Sequence, residues 1–98
     1  MRFIALEKEE VGVRAEQFAP LAKPEARRVW ELYQQNLIRE IYFRQDEHSA
    51  VIMLECESLA QAEEITASLP MVQAGLIHFE LIPLAPYPGF GRLFAQSD

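Results

Sequence analysis

The sequence predicts an α+β domain of ferredoxin-like type, with the order βαββαβ and an antiparallel four-stranded sheet. Three observations predict it. Four short runs rich in Val, Ile, Leu and Phe read as strands. Two longer stretches, one before the second strand and one after the third, carry apolar residues at three- and four-residue spacing and read as helices. A polar break at Asp46-Glu47-His48-Ser49 separates the middle two strands and reads as a hairpin turn.

The first strand is expected over residues 2–8, where Phe3, Ile4, Ala5 and Leu6 suit an interior strand. Residues 9–23 form a connector with a short helical turn at Ala15 to Leu21, interrupted by Pro20. Pro24 suits a first helical turn, where its missing N–H is not needed. From there Ala26, Val29, Trp30, Tyr33 and Leu37 make one stripe, expected to face the sheet as core. Asn36 can adopt a left-handed conformation and end the helix. Leu37 to Arg44 is the second strand, and Ala50 to Cys56, the most apolar, is placed centrally. Ser58 caps a second helix, with Gln61 at the capping-box position. Leu59, Ala62, Ile65 and Leu69 form its buried stripe and Pro70 ends it; the last strand runs from about Ala74 to Leu81.

The tail from Pro83 on, within residues 83–98, is too aromatic for a terminus left in water. Tyr87, Phe90, Leu93 and Phe94 are expected to pack on a partner subunit or over a cavity mouth, and Pro83 is expected to stop the last strand. Right-handed crossovers put both helices on one face of the sheet. The other face is then bare, apolar and expected to pack against a second copy, giving a homodimer, with higher assembly left open.

The chain of 98 residues reads as one domain, half of it hydrophobic. Nine basic residues against fifteen acidic ones give a net charge of -6, which argues against nucleic-acid or anionic-membrane partners. No apolar run has the length of a membrane span, and Met1-Arg2-Phe3-Ile4-Ala5-Leu6-Glu7 is too soon charged for a signal peptide. The single cysteine, Cys56, excludes an internal disulfide and fits a reducing cytoplasm.

No phosphate loop, zinc motif, nucleophile elbow or metal-ligand spacing is present, so no metal and no cofactor is expected. Strict alternation sets His78 and Glu80 on the face opposite Ile77, Phe79 and Leu81. If the helices cover the latter three, His78 and Glu80 point between the sheets of a dimer. They are the candidate catalytic residues, a histidine near a carboxylate being able to act as general base. Arg39, Tyr42 and Glu55 are the candidate substrate-binding residues, with Arg39 able to hold an anion through its two-pronged donor geometry. Hairpin register decides whether Arg39 or Glu40 meets Glu55; repulsion between two acids favours Arg39.

The strand Arg39-Glu40-Ile41-Tyr42-Phe43, the passage Leu54-Glu55-Cys56-Glu57-Ser58, the helix ending Ser68-Leu69-Pro70 and the last strand leading into Pro83 resemble the muconolactone-isomerase-like proteins of the dimeric α+β barrel class, related in architecture to YCII-type domains. The resemblance spans nearly the whole chain and implies paired sheets enclosing a cavity. It implies a class that includes isomerases, monooxygenases and dehydrochlorinases, and carries over no catalytic residue. The expectation is a small cytoplasmic homodimer binding a small organic molecule, as a cofactor-free isomerase or lyase. The alternatives are a non-catalytic structural or interaction protein, and a haem-binding monooxygenase with His78 as axial ligand.

Overall fold

The computed structural model describes residues 1–95. Strand β1 (Arg2–Glu9) is followed by two 3-10 turns (Ala15–Gln17 and Ala19–Leu21) and helix α1 (Ala22–Gln34). Strands β2 (Ile38–Phe43) and β3 (Ala50–Glu55) form a hairpin. Helix α2 (Leu59–Ala67), the short helix α3 (Pro70–Gln73) and strand β4 (Ile77–Leu84) complete the βαββαβ unit, and a 3-10 segment (Gly89–Phe94) follows. The sheet is antiparallel throughout in the order β2-β3-β1-β4. β1 and β3 are therefore interior, as their apolar runs require, and β2 and β4 are edges.

Local chemistry explains the element ends. Asn36 takes φ 65° and turns the chain out of α1. The Ser58 hydroxyl accepts from the Gln61 amide at 3.1 Å, while the Gln61 side chain accepts from the Glu57 N–H at 2.6 Å, closing the start of α2. In the hairpin turn the Arg44 guanidinium holds Asp46 at 2.8 Å and Glu47 at 2.7 Å.

The core lies between the sheet and both helices. Phe3 and Ala5 of β1, Ile52 and Leu54 of β3 and Ile38 of β2 meet Leu32 of α1 and Ala62, Ile65 and Leu69 from the α2 region, with Phe79 and Leu81 of β4 packed against them. Four sequence expectations are corrected here. The inward stripe of α1 is rotated: Leu32 is buried at 1 %, whereas Trp30 and Tyr33 are exposed at 58 % and 48 %. On α2, Leu59 is exposed and Thr66 takes the buried place, its hydroxyl donating to the Ala62 carbonyl at 3.2 Å. Pro70 opens α3 rather than ending α2, and Gly75, at φ 75°, turns that helix into β4. The last strand accordingly begins three residues later than expected and passes through Pro83, which pairs with Phe3. An edge strand tolerates this proline because only one side of it is hydrogen-bonded to a neighbour.

Register fixes two faces. Phe3, Ala5, Glu7 and Glu9 share the helix-covered face with Ala50, Ile52, Leu54, Ile77, Phe79 and Leu81. Ile4, Leu6, Val51, Met53, Ile82 and Leu84 lie on the other face, with no helix over them among the described residues.

A candidate functional site between the first helix and the sheet

The packed core is strongest toward the Phe3 end of the sheet, where Phe3, Leu32, Leu54 and Leu69 are almost wholly buried. Toward the other end the inward residues become small. Ala15, Ala19, Ala22 and Ala26 on the turns and α1, with Ala50 on β3, leave a gap between helix and sheet. The result is a cavity of about 1060 Å³ open at one side. That is the upper end of the range typical of small-molecule sites. Its walls are mostly apolar, and its polar groups are Glu7, Glu9, Glu25, Tyr33 and His48.

Two of these carboxylates are built into the fold. Glu7 follows Phe3 and Ala5 at period two, so β1 aims it under α1. One of its oxygens accepts from the Ala50 N–H at 2.9 Å. Glu25 lies one turn before Val29 and two before Leu32, on the inward side of α1. One of its oxygens accepts from the Met71 N–H at 2.9 Å, tying α1 to α3. In each case the second oxygen makes no hydrogen bond among the described residues. Burial raises both acids above the ordinary glutamate value of 4.5, outweighing the opposing effect of the backbone bonds. Beyond burial, the charge of Glu7 adds to the rise at Glu25, and His48 works against the rise at Glu7.

The mouth of the cavity is aromatic. Trp30 and Tyr33 stack on each other with centroids 5.8 Å apart, and Phe43 stacks on His48 at 5.0 Å. The sequence places Trp30 and Tyr33 in the core stripe of the helix and His48 in the hairpin turn; the structure brings all three to the cavity wall. Among the described residues no lysine or arginine lines the cavity.

The residues singled out from the sequence lie elsewhere. His78 and Glu80 do project from the face opposite Ile77, Phe79 and Leu81, but the cavity is on the helix side and neither lines it. They do not form a pair with each other: His78 meets Glu10, and Lys8 meets Glu80 at 3.9 Å. Tyr42 is on the same open face, its hydroxyl donating to Glu40 at 2.7 Å. Arg39 falls in a bulge between Ile38 and Glu40, which takes it out of the ladder. Glu55 meets neither Arg39 nor Glu40 across the hairpin; its N–H donates to the Leu37 carbonyl at 2.9 Å. Glu55 pairs with Arg2 across β1 and β3, and binds the Met1 ammonium at 3.1 Å and the Arg2 guanidinium at 3.3 Å. The signal for Glu7 was legible: an acid continuing the inward parity of an apolar strand needs a reason to be there.

Among the described residues no group of His, Cys, Asp and Glu is arranged to hold a metal, and no helix is long and apolar enough to cross a membrane. No protein-family model and no curated protein matches the sequence. Among solved structures, the fold is similar to 5-chloro-2-hydroxyhydroquinone dehydrochlorinase from Burkholderia phenoliruptrix AC1100, in complex with 2,5-dihydroxybenzoquinone. The two superpose with a TM-score of 0.72 at 14% identity, over 91% of this chain and 98% of that one. The chain therefore has the α+β, ferredoxin-like fold of that dehydrochlorinase.

Proposed function

We propose that the cavity between α1 and the sheet binds a small, uncharged ring compound, and that Glu7 and Glu25 move a proton on it, making the protein a cofactor-free isomerase or lyase. The observation that carries this reading is the pair of half-buried carboxylates, each held through one oxygen and raised in pKa by burial, in a mostly apolar cavity. A carboxylate raised toward neutrality is a better-matched general base than one in water. The free oxygen of one glutamate takes a proton from a carbon next to a carbonyl; the C–H bond breaks, an O–H bond forms and the electron pair moves into an enolate. The neutral second glutamate donates to that enolate oxygen. Return of the proton to a different carbon completes an isomerisation, and departure of a leaving group with the electron pair completes an elimination.

The charge of the ligand follows from the walls. An anion brought to about 4 Å from an ionised glutamate meets repulsion of about 4 kcal/mol at intermediate dielectric. A net hydrogen bond returns only about 1 kcal/mol, and among the described residues no lysine or arginine lines the cavity to compensate. A neutral phenol offers its O–H to an ionised carboxylate, a cyclic enone offers its carbonyl oxygen to a protonated one, and either presents a flat face to Trp30 and Tyr33. The structural neighbour's named substrate is a hydroxylated chlorinated ring, which is in keeping with such a class.

Trp30 is the single tryptophan and lies in the cavity wall, so its fluorescence reports occupancy. Neutral dihydroxybenzenes and cyclic enones are expected to change its emission saturably, and benzoate is not. Glu7→Gln and Glu25→Gln should lower turnover of any compound found to react by about 10²–10⁴-fold while binding persists. Full activity in both variants would refute the assignment, and failure of every neutral ring to bind would favour the non-catalytic alternative.

A second reading places the chemistry on the open face, between the sheets of a dimer, at His78 and Glu80. The contact of His78 with the Glu10 carboxylate favours it. Loss of turnover in His78→Ala, with Glu7→Gln and Glu25→Gln still active, would select that reading. We also propose, from the uncovered apolar face, that the protein is a cytoplasmic homodimer; the buried free thiol of Cys56 suits a reducing compartment.

A further inference from the structure

We infer that the aromatic mouth of the cavity is the docking site for the C-terminal segment, residues 87–94, of a second copy of this chain. This goes beyond the proton-transfer reading and does not depend on it. The segment is exposed on its own chain: Tyr87, Phe90, Leu93 and Phe94 are 66 %, 67 %, 75 % and 81 % accessible. It nevertheless has a preformed tip. The Tyr87 ring folds over Gly89, where any side chain would collide with it, and meets Phe90 edge to face with centroids 5.1 Å apart. Such an arm loses less conformational entropy on docking than a floppy one.

The complementary surface is the cavity mouth, where Trp30, Tyr33, Ile41 and Phe43 are 58 %, 48 %, 41 % and 64 % exposed. Charge matches as well. Arg92 is the one charged residue between Ala85 and Ala95, and the cavity wall carries three carboxyl groups, Glu7, Glu9 and Glu25, with no lysine or arginine among the described lining residues.

Topology assigns the arm to another copy. β4 leaves the sheet at Leu84, opposite Arg2, whereas the cavity lies toward the Glu7 and Glu9 end of β1. Leu84 is five residues from Phe79 in the cavity wall, about 17 Å along the strand, and the chain goes on away from it. The molecule is accordingly drawn out to 61 × 29 × 21 Å, with a radius of gyration of 16.6 Å. A compact chain of this length would have about 13 Å. In this arrangement each cavity is closed by the neighbour's aromatic arm.

The test uses the single tryptophan. A chain truncated after Leu84 is compared with the full chain at a concentration where the latter is associated, with circular dichroism to confirm that both are folded. Removing the arm should shift Trp30 emission to longer wavelength. Full-length Trp30→Phe chains, which carry the arm but no tryptophan, are then mixed with the truncated chains after dilution to allow exchange. Restoration of the shorter-wavelength emission shows that the arm docks in trans. Two results overturn the inference: no shift on truncation, or a shift that the Trp30→Phe chains do not reverse. Should truncation unfold the chain, Phe90→Ser with Phe94→Ser replaces it in the same comparison. Weaker ring binding in Glu7→Gln leaves this outcome unchanged, so the two proposals fail separately.

Discussion

Glu7 and Glu25 bind their protons more tightly in the folded chain than in the unfolded one, because burial disfavours the ionised form. The sign of the pH dependence follows. Below the ordinary value of 4.5 both states are protonated and there is no penalty. As pH rises through the raised folded value, ionisation in place destabilises the fold, and the loss is complete above it. Glu25→Gln keeps an oxygen for the Met71 N–H but does not titrate. Its melting temperature should therefore gain on that of the native chain as pH rises above 4.5, and a difference that stays flat would contradict the assignment. Glu55 behaves oppositely. A hydrogen bond from the N-terminal ammonium holds it below the usual carboxylate range, so its contribution is present above 4.5 and fades as pH falls.

The elements show how tertiary packing chooses among local options. α1 carries apolar residues around much of its circumference, and the sheet accepts Val29 and Leu32 while leaving Trp30 and Tyr33 at the cavity mouth. α2 has a firmer local specification. Its first turn depends on the Ser58 hydroxyl, which receives the Gln61 amide. Ser58→Ala should cost about 1 kcal/mol in denaturant unfolding with little change in ligand binding, because α2 is remote from the cavity walls. An unchanged midpoint would mean that Gln61 and the backbone suffice to hold that end.

For the whole molecule, the decisive feature is a sheet covered on one face only. Ile4, Leu6, Val51, Met53, Ile82 and Leu84 form a continuous apolar surface on the other, of the kind that a second copy covers. Light scattering at micromolar concentration should give twice the chain mass of 11.3 kDa. Met53→Lys, which sets a charge in the middle of that surface, should give the single-chain mass with the fold retained by circular dichroism. A dimer that tolerates this lysine would have to form through another surface.

By itself the sequence determined the order of elements, the interior place of the strand from Ala50, the turn at Asn36, the cap at Ser58 and the alternation that separates His78 from Ile77 and Phe79. All of these are set by residues within a few positions of one another, where period, capping and backbone preference act directly. Tertiary structure alone decided the rotation of α1, the start of β4 and the partner of Glu55, which lies 53 residues away at Arg2. It also decided the site. A cavity is volume left unfilled by alanines from four separate segments and bordered by glutamates on β1 and α1, and no local pattern records how those segments meet.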